Sequence, residues 1–256
     1  MGRSASAGAD RAMTTGHAIF GAAPATPSEE ELRVARRNNM NVEEGHLGGY
    51  IRASEEPAPS GLRVEHGDPA TFTPSLFRFC VESLGVESVL DVGCGEGHAA
   101  AFFRDLGCRV TGIDGSRQAA RDSVIASDHV VHDFVDGAWS GGDAYDLVWC
   151  CEFVEHVEPR YSSSFLETFC LSRRYLLMTH ARPGQPGWHH VNCQPADYWI
   201  ARIERLGFRF DEALTARTRD AAESGHFQRS GLAFVRRVTS SPGKAGGIQV
   251  TRSKRD

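Results

Sequence analysis

The chain has 256 residues, 41% apolar and 24% charged, with 28 basic against 33 acidic side chains and a formal net charge of −5. This is the mixture of an ordinary soluble fold, long enough to bury a substantial core. No apolar run approaches the roughly 18 residues that span a bilayer, and the acidic balance speaks against a phosphate-tracking surface, so neither a membrane span nor a nucleic-acid partner is expected.

Residues 1–40 are rich in Ala, Ser, Gly and Pro and lack an apolar h-region, which reads as a mostly disordered leader and not as a secretion signal. Met1-Gly2 with Ser6 satisfies the N-myristoylation pattern, and the acid-poor start also fits an organelle transit peptide. Residues 41–73 form no full element; Gly48-Gly49-Tyr50 and His66-Gly67-Asp68-Pro69-Ala70-Thr71-Phe72 read as a cap segment over a cleft. A helix should then start at Thr73 as N-cap with Pro74 in its first position, bury Leu76, Phe77, Cys80, Val81 and Leu84, and stop at Gly85.

From there strands and helices alternate. Ser88 to Val92 is a strand, a glycine-rich turn leads to a helix through Leu106, and Arg109 to Ile113 is the next strand. Ser116 caps a helix to about Ser127; His129 to His132 and Tyr145 to Cys151 are further strands. A helix near Ser162 to Leu171, a strand from Tyr175 to Thr179, and a helix from Pro195 to Leu206 follow, closed by strands at Phe208 to Phe210 and Gly231 to Val235. The expected fold is α/β, a Rossmann-like, seven-stranded, mostly parallel sheet with helices on both faces, occupying 74–238. Residues 239–256, with four bases and one acid, read as a disordered basic tail. Seven cysteines, odd in number and without metal-type CxxC spacing, fit buried free thiols in a reducing compartment, and a cytoplasmic location is expected.

The chemistry concentrates at the strand ends. In Val89-Leu90-Asp91-Val92-Gly93-Cys94-Gly95-Glu96-Gly97 an apolar strand ends in three glycines that let the backbone turn tightly and approach a ligand before a helix opens. Asp91 lies at the edge of that strand, Asp114 closes the next and is followed by Gly115, and Asp133 closes the third and is followed by Phe134. In an open parallel sheet the ligand lies beyond the carboxyl ends of the strands, so Asp114 is placed to hold a ribose diol and Asp133 an adenine amino group. Three acids suit a ligand with a diol, an amine and no phosphates. An NAD enzyme would also use Asp114, but Asp91 and the shortened glycine spacing fit it poorly.

On these motifs, residues 74 to 236 resemble the class I S-adenosylmethionine (SAM) dependent methyltransferases. The resemblance implies that Asp91, Gly93, Cys94, Gly95 and Gly97 cradle the methionine part of SAM, that Asp114 and Gly115 meet the ribose, and that Asp133 and Phe134 meet the adenine. The strand through Cys150 and Cys151 resembles the segment beside the sulfonium, which adds Cys150 to the cofactor side; packing is the other reading of both thiols. Two places offer acceptor chemistry. His189 and His190, in a loop after the fifth strand, supply a candidate general base. Glu152, Glu155 and His156 are spaced to share one helical face, with Glu152 a candidate catalytic carboxylate and all three candidate ligands of a divalent metal that would acidify a hydroxyl. The ExxEH arrangement is similar to that of metal-dependent small-RNA 2'-O-methyltransferases and ubiquinone-pathway O-methyltransferases; a structural role for the segment is the alternative. The expected function is SAM-dependent O-methylation of a small molecule or a sugar or glycan. A metal-dependent RNA 2'-O-methyltransferase and a non-catalytic SAM-binding regulator are the alternatives.

Overall fold

The computed structural model describes residues 28–42 and 49–237. Gly48, the myristoylation pattern at Met1-Gly2, the leader up to residue 27 and the tail at 239–256 lie outside them. Helix α1 (Glu29–Arg37) departs from the expected disorder up to residue 40. The reason is local: Ser28 and Glu31 form a reciprocal capping box, three glutamates occupy the first turn, and Arg36 and Arg37 the last, so both helix ends are complemented. The cap segment contains an antiparallel pair, β1 (Met40–Val42) and β2 (Gly49–Ile51).

Helix α2 (Pro74–Glu82) begins where Thr73-Pro74 places it, but the Thr73 side chain does not cap it. Thr73 Oγ1 donates instead to Glu223 (2.8 Å), and the same carboxylate accepts from Ser75 N–H (3.0 Å). The alternation that follows runs β3 (Ser88–Val92), α3 (His98–Asp105), β4 (Arg109–Asp114), α4 (Arg117–Arg121), β5 (His129–Val131), β6 (Tyr145–Cys150), α5 (Ser162–Phe169) and β7 (Ser172–Met178). After it come α6 (Ala196–Arg205), β8 (Phe208–Phe210), α7 (Glu212–Ala221), α8 (Gly225–Ser230) and β9 (Leu232–Arg236). Helix α4 is capped by Ser116 as expected but ends at Arg121, and a 3-10 turn at Ala126–Asp128 takes up the remainder.

The seven-stranded sheet has the order β5-β4-β3-β6-β7-β9-β8; β3 to β7 pair in parallel, and β9 runs antiparallel to both β7 and β8. The period-2 alternation splits the core into two layers. Val89, Leu147, Trp149 and Leu177 pack with Phe77, Phe103 and Phe227 from α2, α3 and α8. Leu90, Val148, Leu176 and Met178 pack with Phe165, Trp199 and Ile203 from α5 and α6. The chain winds outward from β3 through β4 to β5, then returns to β6 on the other side of β3. That reversal opens a crevice beyond the carboxyl ends of β3 and β6, where this architecture binds ligands. Among the described residues no helix is long and apolar enough to cross a membrane.

Candidate active site

A cavity of about 500 Å³ fills this crevice. Its floor is the turn after β3. Gly93 has φ +78, and a Cβ there would sit 2.4 Å from the Phe153 ring; Gly97 has φ +85, and a Cβ would meet Ile125 at 2.6 Å. Glycine is therefore demanded twice, by backbone conformation and by close packing.

Asp114 faces the turn with both oxygens engaged: Gly95 N–H donates to Oδ2 (2.9 Å) and Ser116 N–H to Oδ1 (2.8 Å). Each oxygen keeps a second lone pair for a diol. Asp91 is 3% exposed, and its Oδ2 has no hydrogen-bond partner. Burial pushes its carboxyl up to about 7, with the Asp114 charge adding to the shift and a hydrogen bond from the Ala100 backbone opposing it. An unpartnered carboxylate oxygen in a dry site is costly unless a donor or cation completes it. Asp133 caps the 3-10 turn Phe134–Asp136, accepting from Val135 N–H at 2.9 Å. Phe134 packs edge-on against Phe153 and Phe165 at 5.6 and 6.3 Å between centroids.

Eight of the sequence-derived cofactor residues line the cavity: Asp91, Gly93, Cys94, Gly95, Asp114, Gly115, Asp133 and Phe134. Gly97 and Cys150 do not. Gly97 instead starts α3. Cys150 is fully buried among Leu90, Val92 and Phe165; side-chain alternation along β6 gives the cavity Trp149 and Cys151 in its place.

The opposite wall corrects the shared helical face expected of Glu152, Glu155 and His156. Glu152 has φ +51, and only Val154–His156 coils, as a 3-10 turn. Glu152 lines the cavity; its Oε1 accepts from Thr179 Oγ1 (2.9 Å), and its Oε2 lies 3.0 Å from His226 Nδ1. Burial alone would raise its pKa, but the hydrogen bond and charge of His226 outweigh that and hold the carboxyl below its ordinary range. Glu155 is fully buried, with neither carboxyl oxygen partnered. Burial, reinforced by the Glu152 charge, pushes its carboxyl up to about 8. His156 lines the cavity and is pushed down to about 4, by burial first and by the neighbouring His190 second. Among the described residues no three His, Cys, Asp or Glu side chains converge to hold a metal ion, so the metal reading of Glu152, Glu155 and His156 finds no preformed ligand set.

The histidine pair also separates. His189, with φ +45, lines the cavity. His190 does not: its Nδ1 lies 3.1 Å from the Gln185 carbonyl, and its ring packs where a Cβ on Gly187 would be 2.2 Å away. His190 therefore braces the loop, with its ring 5.1 Å from that of the cavity-lining His156.

Residues 70–172 match the family model described as a methyltransferase domain. Over that stretch, 103 of the 256 residues, the chain is similar to a methyltransferase domain. It is 38% identical over 63 residues to the malonyl-acyl-carrier-protein O-methyltransferase of Enterobacter lignolyticus (strain SCF1), covering 24% of this chain and 25% of that protein. It is 35% identical over 83 residues to the ubiquinone biosynthesis O-methyltransferase of Vibrio atlanticus (strain LGP32), covering 30% of this chain and 35% of that protein. The chain thus matches about a quarter and about a third of the length of these curated relatives. Among solved structures, the sugar N-methyltransferase KedS8 from Streptoalloteichus sp ATCC 53650 aligns with 15% identity and a TM-score of 0.49, over 66% of this chain and 87% of that one.

The cleft also holds residues to which the sequence alone assigns no chemistry. Tyr50, His66, Asp68 and Glu96 line the cavity. Asn192, 1% exposed, donates to the Val154 and Val157 carbonyls (3.3 and 3.0 Å) and so fixes the turn that carries His156. His226 pairs with Glu152 across 74 positions of sequence. Asn192 and His226 work through tertiary contacts, whereas Tyr50, His66 and Asp68 belong to the cap segment and Glu96 to the glycine turn.

Proposed function

We propose that the protein transfers a methyl group from SAM to an oxygen of a small molecule or sugar. The observation that carries this reading is the buried, unpartnered Asp91 oxygen beside the glycine turn, flanked by Asp114 and Asp133 on the next two strand ends. Asp91 would accept from the ammonium of the methionine part, Asp114 would take the ribose hydroxyls on its remaining lone pairs, and Asp133 with Phe134 would meet the adenine. When bound, SAM supplies an electrophilic methyl carbon on a positively charged sulfur.

The acceptor then stands between that methyl and the wall formed by Glu152, His156 and His189. Glu152, held ionised by His226, orients the acceptor by accepting a hydrogen bond from a hydroxyl next to the reacting one, and His189 takes the proton of the reacting hydroxyl as its oxygen attacks. Cavity walls that exclude water and align donor with acceptor supply most of the remaining catalysis. The names of the curated relatives, both O-methyltransferases, support oxygen as the acceptor atom.

Calorimetry with SAM, S-adenosylhomocysteine and NAD tests the cofactor, and a screen of metabolite pools with methyl-labelled SAM tests the transfer. Asp114→Ala should weaken SAM binding by about 1.5–3 kcal/mol, the range for hydrogen bonds to a charged group. Unchanged affinity, or NAD binding in preference to SAM, would refute the reading.

A further inference from the structure

Glu152 is gripped from two sides by residues remote in the chain. Thr179, one residue past β7, donates its hydroxyl to Oε1 and accepts from the Glu152 N–H (2.9 and 2.8 Å). His226 Nδ1 holds Oε2 at 3.0 Å. The Glu152 backbone sits at φ +51, a conformation that costs a non-glycine residue energy and persists only where the surroundings over-determine it.

The placement of His226 is itself imposed by packing. Its neighbour Phe227 stacks on Trp149 of β6, with centroids 5.3 Å apart and planes within 6°. Ser224 caps α8, accepting from Phe227 N–H, and donates its hydroxyl to the Ala70 carbonyl of the cap segment. Gly231 ends the element where a Cβ would lie 2.5 Å from the Phe227 ring. One imidazole is thereby set against one carboxylate at the acceptor wall; Asp68, Glu155 and Arg229 are further titratable groups that act on it.

We propose that His226 is a positioning residue for methyl transfer: with Thr179 it locks both oxygens of Glu152, so that the carboxylate meets the acceptor hydroxyl next to the reacting one in a single orientation. The inference rests on Glu152 facing the acceptor, as in the function proposed above. It makes α8, which lies beyond the matched residues 70–172, part of the acceptor site. A carboxylate held on one oxygen alone would rotate and spread its remaining lone pairs over many directions, and outer groups that remove such freedom typically govern about 10–100-fold in activity.

The test compares His226→Leu, His226→Asn and Thr179→Val in the full chain. The probe is a polar small-molecule cell extract with methyl-labelled SAM, and the readouts are label transferred per minute, calorimetric SAM affinity and thermal midpoint. His226→Leu should cut transfer about 10–100-fold with SAM affinity unchanged. Asn, whose amide N–H can still reach the carboxylate, should restore the rate to within about threefold of wild type. Thr179→Val should resemble His226→Leu, and the double variant should lose less than the product of the single losses. Full transfer by His226→Leu, or equal loss in Leu and Asn with matching thermal shifts, would overturn the inference while leaving the function intact. Transfer abolished by a chelator and restored by magnesium would reassign the pair as metal ligands and overturn it as well. A wild-type chain that binds no SAM would bring down the function and this inference together, and is distinguished by the calorimetry.

Discussion

Asp91 differs from Asp114 and Asp133 in having a buried oxygen that no protein donor satisfies, and its raised pKa turns that into a pH dependence. With the folded value near 7 against 3.8 for the free side chain, the cofactor-free fold binds a proton that the unfolded chain has released. The stabilising contribution of this group is therefore fully present below about pH 4 and is lost as pH rises through 7. A ligand ammonium favours the ionised form, so cofactor binding should release a proton below neutrality. SAM affinity is expected to fall by about tenfold per unit as pH drops below 7 and to level off above it. Asp91→Asn should bind weakly with no such slope. Calorimetry in two buffers of different ionisation enthalpy reads the proton directly, and no proton uptake or release at pH 6 would rule the coupling out.

At the scale of elements, the strands and their helices were legible because each carries its own period: Val89-Leu90 and Val148-Trp149 alternate between two apolar layers, and glycines punctuate the turns. The glycine turn and the acids at the strand ends were legible for the same reason, since strand, turn and acid are contiguous. What escaped is what the chain assembles from a distance. The ExxEH spacing promised one helical face, but the backbone at Glu152 is left-handed and its N–H goes to Thr179 on a neighbouring strand end. Helix α8 is only six residues long, too short for a hydrophobic period, and packing on Trp149 creates it. The start of α2 makes the same point: Thr73-Pro74 marks the place, yet the cap is Glu223, 148 residues from the Ser75 amide it accepts from. Glu223→Ala should cost about 1 kcal/mol of stability, the usual worth of a lost N-cap, whereas Glu223→Gln, which keeps an acceptor oxygen, should cost less. Urea denaturation of the three proteins measures this, and equal midpoints would show that solvent replaces the cap.

The whole molecule divides its cleft unevenly along the chain. The side proposed for the cofactor comes from one continuous stretch between β3 and the turn after β5, whereas the remaining walls are gathered from the cap segment, the residues after β6 and the loop at His189. The cap segment is fastened to the cofactor side by a small set of polar ties. Tyr50 OH accepts from Asn41 Nδ2 (3.0 Å) and donates to Asp122 Oδ2 (3.1 Å), Arg52 pairs with the same oxygen at 3.4 Å, and Ala53 N–H donates to Glu96 at 2.8 Å. Asp122 thus receives two ties from the segment, and Tyr50 itself lines the cavity beside Gly95. Because this segment lines the cavity beside the glycine turn, release of a ligand seated there is expected to depend on how firmly Asp122 holds the segment. Loss of a hydrogen bond to a charged group is worth about 1.5–3 kcal/mol, and a change of about 1.4 kcal/mol is tenfold in a rate or an equilibrium. Asp122→Ala should therefore speed S-adenosylhomocysteine dissociation by about tenfold or more, and Tyr50→Phe by less, because Arg52 still holds Asp122. Stopped-flow displacement by excess SAM measures both rates. Equal dissociation from all three proteins would show that the segment does not control the exit.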